Sequence, residues 1–258
     1  MKERKEPSFQ SNLYLALIFI LLYLALTGLP LTYWGMEPFY AKLTMAVFRF
    51  VYGTVVFFLL RFYFFPKLEI LPSLRGVLFL PFFLLCFSNL IYWAVMGGNF
   101  SSLKDNMTLW HNLWHYASIA FAEEVVFRQS LMGILSKRFK KYQNILISAG
   151  IFGVAHLINL FNGASLGATF AQVGYTFVLG LLLGFVELYG GGFLSAFLLH
   201  FAFDYVNMGI FELVFQGNWD WPFFLINIGI GVVVLGYAFF LFFLFEKKEK
   251  KSLVETPK

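Results

Sequence analysis

Eight long apolar runs, separated by short polar stretches, account for most of the chain. They cover Leu13–Leu31, Phe39–Phe65, Val77–Gly97, Leu109–Leu135, Asn144–Phe161, Gly167–Leu188, Phe193–Phe215 and Trp221–Phe245. Each is near the roughly 20 residues that a helix needs to cross the hydrocarbon core of a bilayer. Gly and Pro recur inside the runs, as membrane helices tolerate. The pattern predicts an all-α fold, a polytopic membrane helical bundle of about eight transmembrane helices. The second run is long and carries Lys42 and Arg49 near its start, so part of it is expected to tilt or to lie in the interface. The first run follows Lys2, Arg4 and Lys5, as in a signal peptide. It is too long for that role, and no small-x-small cleavage site comes before Pro30, so it reads as an uncleaved span. No repeat, long linker or extramembrane stretch divides the chain, and residues 1–258 read as a single membrane domain.

Composition reinforces this picture. Hydrophobic residues make up 60% of the chain and charged residues 13%, against about 25% charged in soluble domains. The formal charge of +5 is no nucleic-acid signature, because the basic residues sit in short clusters between apolar runs. Those clusters are Lys2/Arg4/Lys5, then Arg61/Lys67/Arg75, then Lys137/Arg138/Lys140/Lys141, then Lys247/Lys248/Lys250/Lys251/Lys258. The alternate loops hold almost none, Lys104 being the exception. This alternation places both termini in the cytoplasm. Residues 246–258 read as a mobile basic cytoplasmic tail. The one cysteine, Cys86, lies in an apolar run. It excludes a disulfide framework and reads as a buried apolar residue.

The informative residues are the ionisable ones deep inside the apolar runs, where each costs about 2.5–3.5 kcal/mol on insertion scales. They are Glu123, Glu124, Arg128, His156, His200 and Asp204. Glu124 and Arg128 are four apart, share a helix face and can pair. Glu123 projects about 100° away around a regular helix. With no local partner it must find one on another helix, meet water or take up a proton, which is the setting a general base wants. Phe152 and His156 share a face, and the small Gly153 and Ala155 would let another helix approach closely. His200 and Asp204 also share a face, continued by Asn207. That spacing suits a histidine oriented by a carboxylate or two ligands of one metal. Asp204 could instead be the counter-ion of Arg128. At 1.5 Å per residue, Glu123, His156 and Asp204 lie roughly 15–20 Å from the cytoplasmic ends of their spans. That common depth is expected of an internal polar cavity. Lys42, Arg49, Arg61 and Glu187 lie near predicted span ends and are expected to snorkel. His111 and His115 flank Trp110 and Trp114 at a span entrance, as in an interfacial belt.

Glu123-Glu124-x-x-x-Arg128, Phe152-x-x-x-His156 and His200-x-x-x-Asp204 together resemble the three motifs of the CPBP intramembrane proteases. That family includes the type II CAAX prenyl endopeptidases and bacterial relatives named for bacteriocin processing or abortive infection (Abi). The resemblance covers roughly residues 109–208. It implies an intramembrane endopeptidase that hydrolyses a peptide bond of a membrane-associated peptide or protein with activated water. Glu123 would be the base and His156 would help hold the water. His200 would donate to the oxyanion beside Asp204, while Glu124 and Arg128 position the cluster. Prenyl endopeptidases of eukaryotes and archaea usually have Asn where Asp204 stands. An ionised Asp cannot donate a hydrogen bond, so Asp204 either acts protonated or orients His200. The family is often labelled metalloprotease, and Glu123, His156 and His200 would suit zinc; direct activation of water by the same residues needs no cofactor. Two other classes use the same residues: a non-catalytic immunity or regulatory membrane protein that binds a peptide or partner protein, and a proton-coupled transporter. The lack of internal repeats counts against the latter. Compact size, the Phe- and Lys-rich make-up and the basic tail point to a bacterial plasma membrane. There a bacteriocin leader, peptide pheromone or membrane-protein partner is a better expectation than a prenylated tail.

Overall fold

The structure is a computed structural model and describes residues 8–28, 35–64, 71, 74–104, 106–214 and 221–255. Lys2, Arg4, Lys5, Pro30, Lys67 and Lys258, which entered the signal-peptide and topology readings, lie outside them. Every described element is helical. Helix α1 spans Phe9–Thr27, α2 Pro38–Leu59, α3 Phe83–Val95, α4 Asn106–Glu123, α5 Lys141–Ala155, α6 Leu166–Val186, α7 Gly192–Asp204 and α8 Trp221–Glu255. Local chemistry starts several of them. The Ser8 and Ser165 hydroxyls accept from Ser11 and Ala168 N–H at the first turns of α1 and α6, and Glu37 caps α2 with Pro38 just inside it, each satisfying donors that a helix start leaves orphaned.

Seven described helices are long and apolar enough to cross a membrane, and the chain is a multi-pass membrane protein. The eighth expected span, Leu109–Leu135, is the exception. It is helical, but His111, Asn112 and His115 together with the charged motif residues make it less apolar than the others. The chain buries it in protein: every residue from Glu124 to Met132 is buried, and this stretch packs against α1, α2, α5 and α7. Large apolar side chains elsewhere, such as Phe62, Val95, Phe161 and Phe243, are exposed, as befits faces solvated by lipid. Helix α8 runs on through Glu255, so the basic tail expected from residue 246 begins as helix.

Helical geometry changes where the motifs lie. After Glu123 the backbone widens into π-helix over Glu124–Met132, and α7 does the same over Tyr205–Phe211. In π-helix the bonds close on i+5 instead of i+4, a geometry frequent at functional sites. Side chains from neighbouring helices support the widened turns. The Asn144 amide donates to Met132 O at 2.9 Å, and the Ser148 hydroxyl to Phe127 O at 3.2 Å. From α4, the Asn112 amide donates to Gly209 O at 3.0 Å.

Close approach of α5 and α6 fixes the height of His156. A Cβ at Gly153 would stand 3.0 Å from Val173 O and 3.2 Å from the Phe177 Cβ. Only a glycine lets the helices meet this closely, in agreement with the small-residue reading of that span.

Candidate active site

The motif residues converge on His200 of α7. Its Nδ1 lies 2.8 Å from Glu124 Oε1. Its Nε2 faces Asp204 Oδ2 at 3.4 Å and Glu123 Oε2 at 3.6 Å. The two adjacent glutamates therefore both reach one imidazole, one at each ring nitrogen. On a regular helix they would diverge by about 100°, and the π-helical start at Glu124 narrows that divergence. Glu123 also accepts a hydrogen bond from the Tyr23 hydroxyl at 2.8 Å.

Behind this face stands the expected ion pair. Arg128 Nε is 3.2 Å from Glu124 Oε2, and both side chains are fully buried. Arg128 Nη1 donates to the Ser148 hydroxyl at 3.3 Å. Asp204 instead faces His200, so the structure rejects the alternative that it neutralises Arg128.

Phe152 is the apolar wall on which the charged groups are arranged. It is completely buried, and its ring meets the rings of His156 and His200 edge-on at 5.0 and 5.8 Å. The Arg128 guanidinium lies 4.8 Å from its centroid. Three motif residues thus share one aromatic surface. Phe152→Leu keeps most of the volume but forfeits the ring-edge and cation–π contacts. It is expected to cost about 2 kcal/mol of stability, read as a lowered thermal transition of the protein in detergent.

His156 lies where α5 tightens into a 3₁₀ turn. Its Nδ1 is 2.9 Å from Phe152 O. A carbonyl only accepts, so Nδ1 carries the hydrogen. In the neutral ring Nε2 then keeps its lone pair. Glu123, His156, His200 and Asp204 all line one cavity of about 170 Å³, together with Tyr23 and Arg49.

Among the described residues no three His, Cys, Asp or Glu side chains are placed to hold a metal ion. His200 has a carboxylate at each nitrogen. Glu123, His156 and His200, the zinc set that the resemblance suggested, are not gathered into one ligand group among the described residues.

A family model described as type II CAAX prenyl endopeptidase Rce1-like matches residues 105–206. This stretch is similar to that domain. It runs from the start of α4 to just past Asp204 and contains all seven motif residues. No curated protein and no solved structure matches the chain. The matched stretch does not supply the whole cavity, because Tyr23 and Arg49 come from α1 and α2.

Both contributors escaped the sequence reading. Tyr23 is one hydroxyl in an apolar run, and nothing local marks it. Arg49 was expected to snorkel, yet it lines the cavity. Glu187, also expected to snorkel, accepts a hydrogen bond from the Gln129 side chain. His111 does stay near the entrance, stacked on Phe39 at 4.4 Å between exposed Trp110 and Trp114. Asn207 bonds Asn89 of α3 at 2.8 Å and so serves packing.

Proposed function

We propose that the protein is an intramembrane endopeptidase that hydrolyses a peptide bond of a membrane-associated peptide or protein with water activated by Glu123. The observation that carries this reading is that Glu123, His156, His200 and Asp204 share one cavity inside a largely apolar bundle. The Rce1-like match supports it.

Each side chain has a role its partners favour. Glu123 takes the proton of the attacking water, and Tyr23, donating to its Oε1, fixes its orientation. His156 accepts the other water hydrogen at Nε2. The hydroxide adds to the scissile carbonyl carbon, and the carbonyl oxygen takes the negative charge. His200, held between Glu124 and Asp204, donates to that oxygen, an electrostatic stabilisation of the kind that dominates acyl-transfer catalysis. Asp204 orients His200 and need not itself donate. When the C–N bond breaks, the proton held by Glu123 passes to the departing amine. Glu124 and Arg128 hold the array together. Cys86 takes no part: it is buried, with its thiol 3.6 Å from Leu199 O, and it does not line the cavity, so no covalent acyl-enzyme is invoked.

In a bacterial plasma membrane the substrate class would be a bacteriocin leader, a peptide pheromone or a membrane-protein partner. Mass spectrometry of membrane peptides tests this. A deletion strain is compared with strains carrying the natural protein or Glu123→Ala. At least one peptide should be cleaved only with the natural protein present, with both proteins inserted equally. Identical peptide sets in all three strains would refute hydrolysis and leave a non-catalytic binding role.

A further inference from the structure

The cavity contains one cation that this mechanism does not use. Arg49 comes from the middle of α2 and lines the same chamber as Glu123, His156 and His200. Its Nε and Nη1 are shielded from solvent and have no hydrogen-bond partner among the described residues. Glu123 is engaged by Tyr23 and faces His200, and Asp204 faces His200. No described carboxylate lies within ion-pair distance of Arg49. The side chain as a whole is half-buried, and shielded donors left idle are costly. Lys42, the other basic residue of the same helix, is exposed, as a snorkelling residue should be. Arg49 instead lines the chamber. A guanidinium fork matches the two oxygens of a carboxylate.

We propose that Arg49 is a specificity-determining residue that binds a carboxylate of the peptide in the cavity. The identification of the ligand as a peptide rests on the protease reading; the anion subsite itself does not. A carboxylate on a peptide has two sources, the free C-terminus and an acidic side chain. If the terminus is the ligand, the cavity reads chain ends, because a carboxylate anchored on Arg49 places a peptide bond only a few residues upstream near Glu123. If a side chain is the ligand, the enzyme reads an acidic residue near the cleavage point.

Equilibrium binding to the purified protein in phosphatidylcholine nanodiscs separates these cases. The probes are three fluorescently labelled apolar pentapeptides: a free acid, its C-terminal amide, and an amide with Glu as last residue. The natural protein should bind at least one carboxylate-bearing peptide about tenfold or more tightly than the plain amide, the size expected from one charge-assisted hydrogen-bonded contact. Whichever of the two binds better names the source. Arg49→Gln should abolish the preference while leaving affinity for the plain amide unchanged, and Arg49→Lys should retain part of it. Equal affinity for all three peptides in the natural protein, including no binding of any, overturns the proposal. So does an unchanged preference in Arg49→Gln, or an equal loss for all three peptides, which would mean that Arg49 only shapes the cavity. Cleavage is read separately. A carboxylate preference without hydrolysis leaves the subsite standing and removes the protease reading, whereas hydrolysis without preference does the reverse.

Discussion

Glu123→Gln should lower peptide-bond cleavage by about 10²–10⁴-fold, the range for removing a general base, while leaving the fold intact. The amide keeps the size of the side chain and can still accept from the Tyr23 hydroxyl, which is bonded to Glu123 at 2.8 Å. What it cannot do is hold a proton taken from water. The loss should therefore fall on kcat with little change in KM, because the substitution removes a group needed only in the transition state. Tyr23 makes the comparison sharper. Tyr23→Phe frees the carboxylate from one partner but leaves it as a base, so its effect should be far smaller. A chelator should leave the natural rate unchanged, since the described side chains do not form a metal-ligand set. Cleavage by Glu123→Gln within about threefold of the natural rate would remove Glu123 from the chemistry. The measurement is steady-state proteolysis of a cleaved peptide by matched amounts of folded protein.

Arg128→Met should destabilise the protein by about 3 kcal/mol, the lower part of the range for leaving a buried charge without its partner. Arg128 and Glu124 are both shielded completely, so water cannot replace the lost ion pair. The lower part of the range applies because His200 Nδ1 remains 2.8 Å from Glu124 Oε1. The double variant Glu124→Gln/Arg128→Met removes both charges and should recover most of the stability. Its activity should stay low, because His200 would have lost the carboxylate that fixes its ring. Denaturant or thermal unfolding in detergent measures the first effect and the proteolysis assay the second. If the double variant is no more stable than Arg128→Met, the pair contributes packing and not charge compensation.

These two outcomes separate the chemistry from the scaffold, and the residues behind them differ in how visible they were. Glu124–Arg128 was legible because a four-residue spacing on a helix is local geometry, and it is found as an ion pair at 3.2 Å. The pairing of His200 with Asp204 was legible for the same reason. Glu123 was legible only as a residue without a local partner. Its partners, Tyr23 and His200, lie on α1 and α7, and no spacing rule reaches across the membrane from one helix to another. Arg49 was misread because its distance from a predicted span end says nothing about the direction of the side chain.

The sequence by itself determined that this is an all-helical membrane protein, because runs of apolar residues this long have no other stable solvent. It also pointed to a band of acids and imidazoles at similar depth, by counting residues along regular helices. Tertiary structure decided what those groups do. Helix rotation turns Glu123, His156 and His200 into one chamber, and π-helical widening brings both glutamates to one imidazole. Side chains of α5 complete the hydrogen bonds of the widened turn. Rotation and widening are set by packing between helices distant in the chain, through contacts such as Gly153 against α6, and that information is not local to any motif.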